Sequence, residues 1–191
     1  MASNDNDNDN EQKLLLELQK GSEQAMREIY HHYVRYLTAV CFRYLQDEED
    51  VKDVLQEAFL KIFSSVHSFE YRGVGSLKGW MTKIVVNETL KFMKRNSQTM
   101  FVELKQEKMD SIDEEPDTSG IPSDVIHQMI RELPDGYRTI FNLYVIEEKS
   151  HKEIAALLNI KENSSASQFH RAKLLLADKI KQYRTLNSAS L

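Results

Sequence analysis

Apolar residues along this chain recur at spacings of three and four, and no stretch sustains the period-two alternation of a half-buried strand. That periodicity predicts an all-α protein. Only six glycines and three prolines interrupt it, so helix boundaries fall at a few identifiable signals. Ser22 is placed to cap a helix reaching about Leu45, and Asp47 to cap another running to about Ser64. Gly73 and Gly75 mark a loop, after which Ser76 can cap a helix from Leu77 to about Arg95. Farther along, Ser123 follows Pro122 at a helix start, and Pro134 opens a helix ending near Ile146. Ser150 and Glu153 have the spacing of a capping box ahead of Ile154, Leu157 and Leu158. A break at Asn159 then leads into a last helix from about Glu162 to Tyr183. A short helix, a tight turn and a longer helix have the proportions of a helix-turn-helix.

Breaks in this pattern divide the chain. The Asn/Asp repeat of residues 4–10 cannot bury apolar surface, so residues 1–10 are expected to form a disordered tail. Residues 96–122 hold seven acidic residues against Lys105 and Lys108, with two of the three prolines, which predicts a flexible acidic linker. Two small helical domains are expected on either side of it, 11–95 and 123–186, with a short tail at 187–191.

Bulk chemistry narrows the classes. A chain of 191 residues, 41% apolar and 29% charged, has the composition of a globular protein. Its start lacks the basic and apolar regions of a leader, and no apolar run approaches the roughly 20 residues that cross a bilayer, so a cytoplasmic protein is expected. Cys41 is the only cysteine, and the six histidines are scattered, so neither a disulfide nor a metal site is expected. Neither inward-facing carboxylates at metal-ligand spacing nor a nucleophile beside a base is evident. No catalytic residues and no cofactor are therefore assigned.

Charge changes the picture more than composition does. The chain is acidic overall, at formal net charge −5. Yet residues 72–95 carry Arg72, Lys78, Lys83, Lys91, Lys94 and Arg95 against Glu88 alone. Residues 149–184 likewise carry Lys149, Lys152, Lys161, Arg171, Lys173, Lys179, Lys181 and Arg184 against Glu153, Glu162 and Asp178. Two cationic stretches in an acidic polymer suit two separate polyanion contacts; the alternative is a pair of solvated helix faces.

Three segments carry candidate sites. In the last helix Phe169, Ala172, Leu176 and Ile180 fall on one side, leaving Asn163, Ser164, Ser167 and Arg171 opposite, with His170 on the flank. Small polar groups beside an Arg suit the major groove, although many amphipathic helices look alike. In the first cationic stretch Lys83, Asn87, Lys91, Lys94 and Arg95 form a stripe, with Phe69, Tyr71, Arg72 and Trp80 nearby. Rings among cations suit unpaired DNA, because a ring stacks on a splayed base. Ile84 and Phe92 read better as core, while Tyr71 and Trp80 fit either role. In the third segment Val51, Val54, Leu55, Ala58, Phe59 and Ile62 form a buried side and leave Asp50, Asp53, Gln56 and Glu57 on an acidic outer face. That face repels DNA and suits a basic or polar protein partner, or simply solvent.

These segments, in this order, resemble the extracytoplasmic-function (ECF) group of the bacterial sigma-70 family over roughly residues 11–186. DVKDVLQEAFLKIF is similar to that family's core-polymerase-binding helix, and FEYRGVGSLKGWMTKIVVNETLKFMKR to its minus-ten recognition and melting segment. ELPDGYRTIFNLYVIEEKSHKEIAALLNIKENSSASQFHRAK resembles its minus-thirty-five module. The resemblance implies an all-α sigma factor with a helical-bundle sigma domain 2 and a helix-turn-helix sigma domain 4. Such a factor directs core RNA polymerase to promoters and assists their melting, without catalytic residues of its own. By position, Asp50, Asp53, Gln56 and Glu57 would bind core polymerase. Tyr71, Arg72, Trp80, Lys83, Asn87 and Lys91 would open the minus-ten DNA or hold its single strand. Ser164, Ser165, Ser167, His170, Arg171 and Lys173 would engage the minus-thirty-five duplex. Lys161, Asn163 and Ala166 depart from the residues common in that family's recognition helix, while Asn159, in place of a frequent Gly, tolerates a left-handed turn. The family also implies an anti-sigma partner, often membrane-anchored. Two other classes stay open on the residues alone. One is a stand-alone helix-turn-helix regulator using 123–186, which leaves the aromatic and basic stripe without a role. The other is a nucleic-acid enzyme such as a nuclease, for which no site is evident.

Overall fold

Asp47 shows how local chemistry sets the boundaries: its Oδ1 accepts from the backbone N–H of Glu49 (2.8 Å) and Asp50 (3.2 Å), satisfying donors that the first helical turn leaves open. The computed structural model describes residues 3–96 and 118–188. Among the described residues there is no strand. The helices are α1 (Ser3–Gln19), α2 (Glu23–Cys41), α3 (Glu48–Ser65), α4 (Ser76–Asn96), α5 (Ser123–Arg131), α6 (Asp135–Phe141), α7 (His151–Leu158) and α8 (Glu162–Ser188). A 3-10 turn, Val66–Ser68, follows α3, and a π turn, Asn142–Ile146, follows α6. The chain divides into two compact units at Asn96. Of the expected linker 96–122, residues 97–117 lie outside the described residues, as do 189–191 of the expected tail.

In the first unit α2, α3 and α4 pack pairwise, and α1 lies against α2. Ile29, Leu37 and Val40 of α2, Val51, Ala58 and Ile62 of α3, and Leu77, Met81 and Val85 of α4 meet in the core. Two expectations are corrected here. The helix capped by Ser22 stops at Cys41 instead of reaching Leu45, and Tyr44 and Leu45 turn back into the core. Residues 4–10, expected to be a disordered tail, are helical within α1. The buried Leu15 and Leu18 anchor that helix. Extending an existing helix is far less costly than nucleating one. Cys41 is fully buried, with burial pushing its thiol up to about 11.

In the second unit α5, α6 and α7 each pack on α8. Met129, Leu133, Ala172, Leu176 and Ile180 form one core cluster, with Tyr183 against it. The capping box forms as expected: Ser150 Oγ accepts from the Glu153 N–H, and Glu153 Oε2 accepts from the Ser150 N–H. Asn159 takes a left-handed conformation, φ 56° and ψ 49°, and turns the chain into α8. That helix runs past the expected end at Tyr183 to Ser188. Arg138 is 1% exposed and donates to the carbonyls of Arg131 (3.0 Å) and Leu133 (2.9 Å) and to Asp135 Oδ1 (2.6 Å). It thereby satisfies carbonyls at the end of α5, where the helix has no donors of its own. Arg138→Met leaves both carbonyls without this donor and is expected to cost about 3 kcal/mol. Urea unfolding of the full chain measures it. Arg138→Lys recovers only part of the loss, because one ammonium nitrogen cannot span acceptors that the guanidinium reaches from two.

Candidate nucleic-acid and protein-docking surfaces

The acidic face of α3 forms as the spacing predicts. Asp53, Gln56 and Glu57 are exposed and Asp50 is half-buried, while Val51, Val54, Leu55, Ala58, Phe59 and Ile62 are buried beneath them. Partial burial, together with the Asp47 and Asp53 carboxylates, holds Asp50 above the ordinary carboxylate range. The periodicity did not reveal what lies beside this face. Tyr30 and Val34 of α2 and Gln56, Phe59, Leu60 and Phe63 of α3 line an open groove of ≈ 700 Å³. Leu60 is 60% exposed and Tyr30 42%. Large apolar groups exposed side by side, with Glu48, Lys52 and Gln56 also lining the groove, have the make-up of a protein-docking surface. Leu60 could have been found, because it follows the exposed Glu57 by three residues; Tyr30 could not, since it comes from another helix.

On α4, Trp80 stands half-buried with its ring 4.9 Å from that of Phe69. The two rings line a concavity of ≈ 450 Å³ with Ser68, Glu70, Arg72 and Ser76. Lys83, Asn87 and Lys91 continue along the helix from Trp80, the lysines exposed and Asn87 half-buried. The structure thus brings Arg72, Trp80 and the stripe to one side of the unit. Ile84 and Met93 are buried, as core positions should be, and Phe92 is half-buried. Lys91 is not simply solvated: its Nζ lies 2.9 Å from Glu88 Oε1, which also accepts from Lys61 Nζ at 2.7 Å. Burial opposes ionisation of Glu88, but the two ammoniums outweigh it and hold the carboxyl below its usual range. Tyr71 is half-buried, and its phenol donates to Glu11 Oε2 at 3.2 Å.

On α8, Ser164, Ser167, His170, Arg171 and Lys173 are all partly exposed, and Asn163 is exposed. Ser165 is not. It is 0% exposed, and its hydroxyl lies 3.0 Å from His151 Nδ1. Its expected contact with duplex DNA is therefore corrected: Ser165 faces inward because it is one residue beyond the outward pair Asn163 and Ser164, about 100° around the helix. His151 is stacked on Tyr144, with ring centroids 4.6 Å apart, and Tyr144 lies 4.3 Å from Phe169. Lys173 Nζ sits 5.4 Å from the Phe169 ring centroid. This cluster joins the π turn, α7 and α8 and so sets the pose of the outward residues.

Comparison with known proteins fits both units. Residues 29–99 match the family model for sigma-70 region 2, and residues 123–176 match that for sigma-70 region 4. The ECF RNA polymerase sigma factor SigW of Bacillus subtilis is 25% identical over 181 residues, covering 88% of this chain and 96% of that protein. The ECF RNA polymerase sigma-E factor of Haemophilus influenzae is 24% identical over 181 residues, covering 88% and 94%. The sigma-E factor of Escherichia coli is 25% identical over 185 residues, covering 88% and 93%. A solved structure, CnrH in complex with the cytosolic domain of CnrY, aligns with a TM-score of 0.47 at 17% identity over 88% of this chain and 96% of that chain. A sigma-70 region 2 unit followed by a helix-turn-helix region 4 unit defines a transcription initiation factor. The chain belongs to the ECF group of the sigma-70 family of RNA polymerase sigma factors.

The His151 cluster has a pH signature. Burial lowers the His151 pKa, against the opposing pull of the Glu162 carboxylate. A histidine depressed in the folded state binds fewer protons there than in the unfolded chain, so stability rises with pH through this window. Folding stability is therefore expected to fall as pH drops from above the ordinary histidine value through the lowered native one. Urea unfolding at a series of pH values, with His151→Phe flattening the slope, measures it.

Proposed function

We propose that α3 docks this factor on core RNA polymerase through Asp50, Asp53, Gln56 and Glu57, with the apolar groove around Tyr30 and Leu60 seating a side chain of the partner. Charge complementarity then supplies specificity and association rate, and the groove supplies desolvated contact. Next to that surface, Arg72, Trp80, Lys83, Asn87 and Lys91 hold the opened minus-ten strand. The rings stack on unpaired bases while the cations follow the backbone. Arg171, with Ser164, Ser167, His170 and Lys173, reads the minus-thirty-five duplex; a guanidinium can bond a guanine edge bidentately, and hydroxyls reach phosphates. Residues 11–95 and 123–186 act as the two functional domains, with 96–122 as their tether. As a partner of polymerase the chain works in the cytoplasm, and an anti-sigma factor controls it, as is common in this family.

The observation that carries this reading is the pairing, within one unit, of an acidic and apolar face on α3 with an aromatic and cationic strip on α4. A regulator that only binds duplex DNA needs neither. Reversing the charge at Asp53→Arg with Glu57→Arg is expected to abolish association with core polymerase in gel filtration and leave the second unit's binding to duplex DNA unchanged. Normal core association by the double variant would refute the docking assignment. Arg171→Ala is expected to cost about 1–3 kcal/mol of discrimination between promoter and mismatched duplex. Uniform weakening on every sequence makes Arg171 a phosphate contact instead.

A further inference from the structure

The loop between Val66 and Ser76 carries Phe69, Tyr71 and Arg72, yet little in its own backbone holds it. After the 3-10 turn it has no regular structure, and Gly73 and Gly75 adopt φ +106° and +83°, where side chains are strained and glycine is free. Its far end is pinned by Ser76, whose Oγ accepts from the Arg72 N–H at 3.2 Å and donates to the Gly73 carbonyl at 2.7 Å, while its start and middle are held from outside, by α1. Gln19 Nε2 donates to the carbonyl oxygens of Val66 and Phe69, both at 3.1 Å. About two turns earlier on the same face of α1, Glu11 uses its two oxygens separately: Oε1 accepts from the Tyr33 phenol at 2.7 Å and Oε2 from the Tyr71 phenol at 3.2 Å. Glu11, Leu15 and Gln19 recur every fourth residue, so two polar fasteners flank an apolar keel, Leu15 being 2% exposed. Over that span α1 advances about 12 Å, enough to hold both the start of the loop and its middle. Tyr33 is itself 7% exposed on α2 and so fixes the carboxylate that fixes Tyr71.

We propose that α1 is a strap that positions the strand-holding loop, with Glu11 and Gln19 as positioning residues that touch no DNA. The proposal rests on the assignment of unpaired DNA to the Trp80 side of the first unit. Holding the Phe69 carbonyl sets the ring against which Trp80 leans, at 4.9 Å, and holding the Tyr71 phenol, together with Ser76 Oγ on the Arg72 N–H, sets the backbone from which Arg72 projects. A pre-positioned loop binds without the entropic cost of ordering its side chains at the moment of contact. The strap lies before residue 29, where the match to sigma-70 region 2 begins.

The test uses holoenzyme assembled from core polymerase and the full chain. Its probe is a fluorescein-labelled single-stranded oligonucleotide with the non-template sequence of the opened stretch of a promoter this holoenzyme transcribes. Glu11→Ala is expected to weaken binding about tenfold, the worth of a hydrogen bond to a charged group. Glu11→Gln, whose amide can accept from one phenol and donate to the other, recovers most of it. Tyr33→Phe removes the carboxylate's other partner without touching the loop, so it lowers Tm but weakens the probe less than Glu11→Ala does. Equal weakening by Tyr33→Phe and Glu11→Ala would make Glu11 a stability element and overturn the strap, as would unchanged binding by Glu11→Ala. If Glu11→Ala unfolds the unit, Gln19→Leu, similar in size and unable to hold either carbonyl, replaces it with the same expectation. Lys83→Ala reports on the underlying assignment: if it weakens the probe while Glu11→Ala does not, the strap alone fails. If neither weakens it, the strand does not pass here and both readings fall.

Discussion

Burial of α4 on two sides is the constraint on which the first unit depends. Leu77, Met81, Val85, Val86, Leu90 and Met93 are all buried as α4 packs against α2 and α3, which leaves a narrow strip of the helix for water. Trp80, Lys83, Asn87 and Lys91 lie on that strip. A stripe of cations on a surface helix could drift with every rotation of the helix about its axis, but one on a helix gripped from two directions is aimed. The same grip forces polar groups inward, and their chemistry is closed locally. Thr82 and Thr89 donate to the carbonyls of Lys78 and Val85, each at 2.8 Å, so neither hydroxyl is buried without a partner. Lys78, off the strip, sits 4.0 Å from the centroid of the Tyr36 ring.

On the functional reading above, docking and strand holding are kept apart electrostatically on one small unit, yet not insulated from each other. Glu88, the single acidic residue in the first cationic stretch, lies between Lys61 of α3 and Lys91 of α4. A carboxylate shared by two ammoniums draws a basic residue of the strip toward the docking helix. An ion pair exposed to solvent adds little stability. This one is more sheltered, with the Glu88 side chain 15% exposed, and it ties the pitch of the strip to α3. On that reading, a partner bound to α3 acts on an element tied through Lys61 and Glu88 to Lys91 of the strip.

Much of the fold was legible because the signals were local. The Asp47 cap, the Ser150–Glu153 box and the left-handed Asn159 each depend on residues within four positions, and all three formed as read. So did the acidic outer face of α3, which needs only the period of a helix. The misreadings share the opposite character. Ser165 is absent from the outward set that periodicity picks out and enters only by family resemblance; the partner fourteen residues away, His151, shows that it points in. The amino-terminal repeat was read by composition, whereas its helix is carried by Leu15 and Leu18 packing on another element. Tyr30 and Val34 of the apolar groove come from α2, and Glu11 reaches Tyr71 across sixty positions. A candidate site assembled from different helices leaves no spacing in the sequence, and the sites missed were of that kind.

The distribution of charge also bounds how the factor can use DNA. The two cationic stretches carry six and eight basic residues, several of them engaged with Glu88, Glu132 or an aromatic ring. The contribution of phosphate contacts grows with the number of charges neutralised, so either surface alone binds weakly at ordinary salt. The acidic groups elsewhere on the chain weaken non-specific binding further. On the functional reading above, that weakness is useful. A factor with low affinity for DNA on its own does not occupy promoters without polymerase, and when both units are carried on the same docked chain the second contact becomes intramolecular. Discrimination then rests on whether two weak contacts can be made at once at the right separation, which random sequence seldom provides.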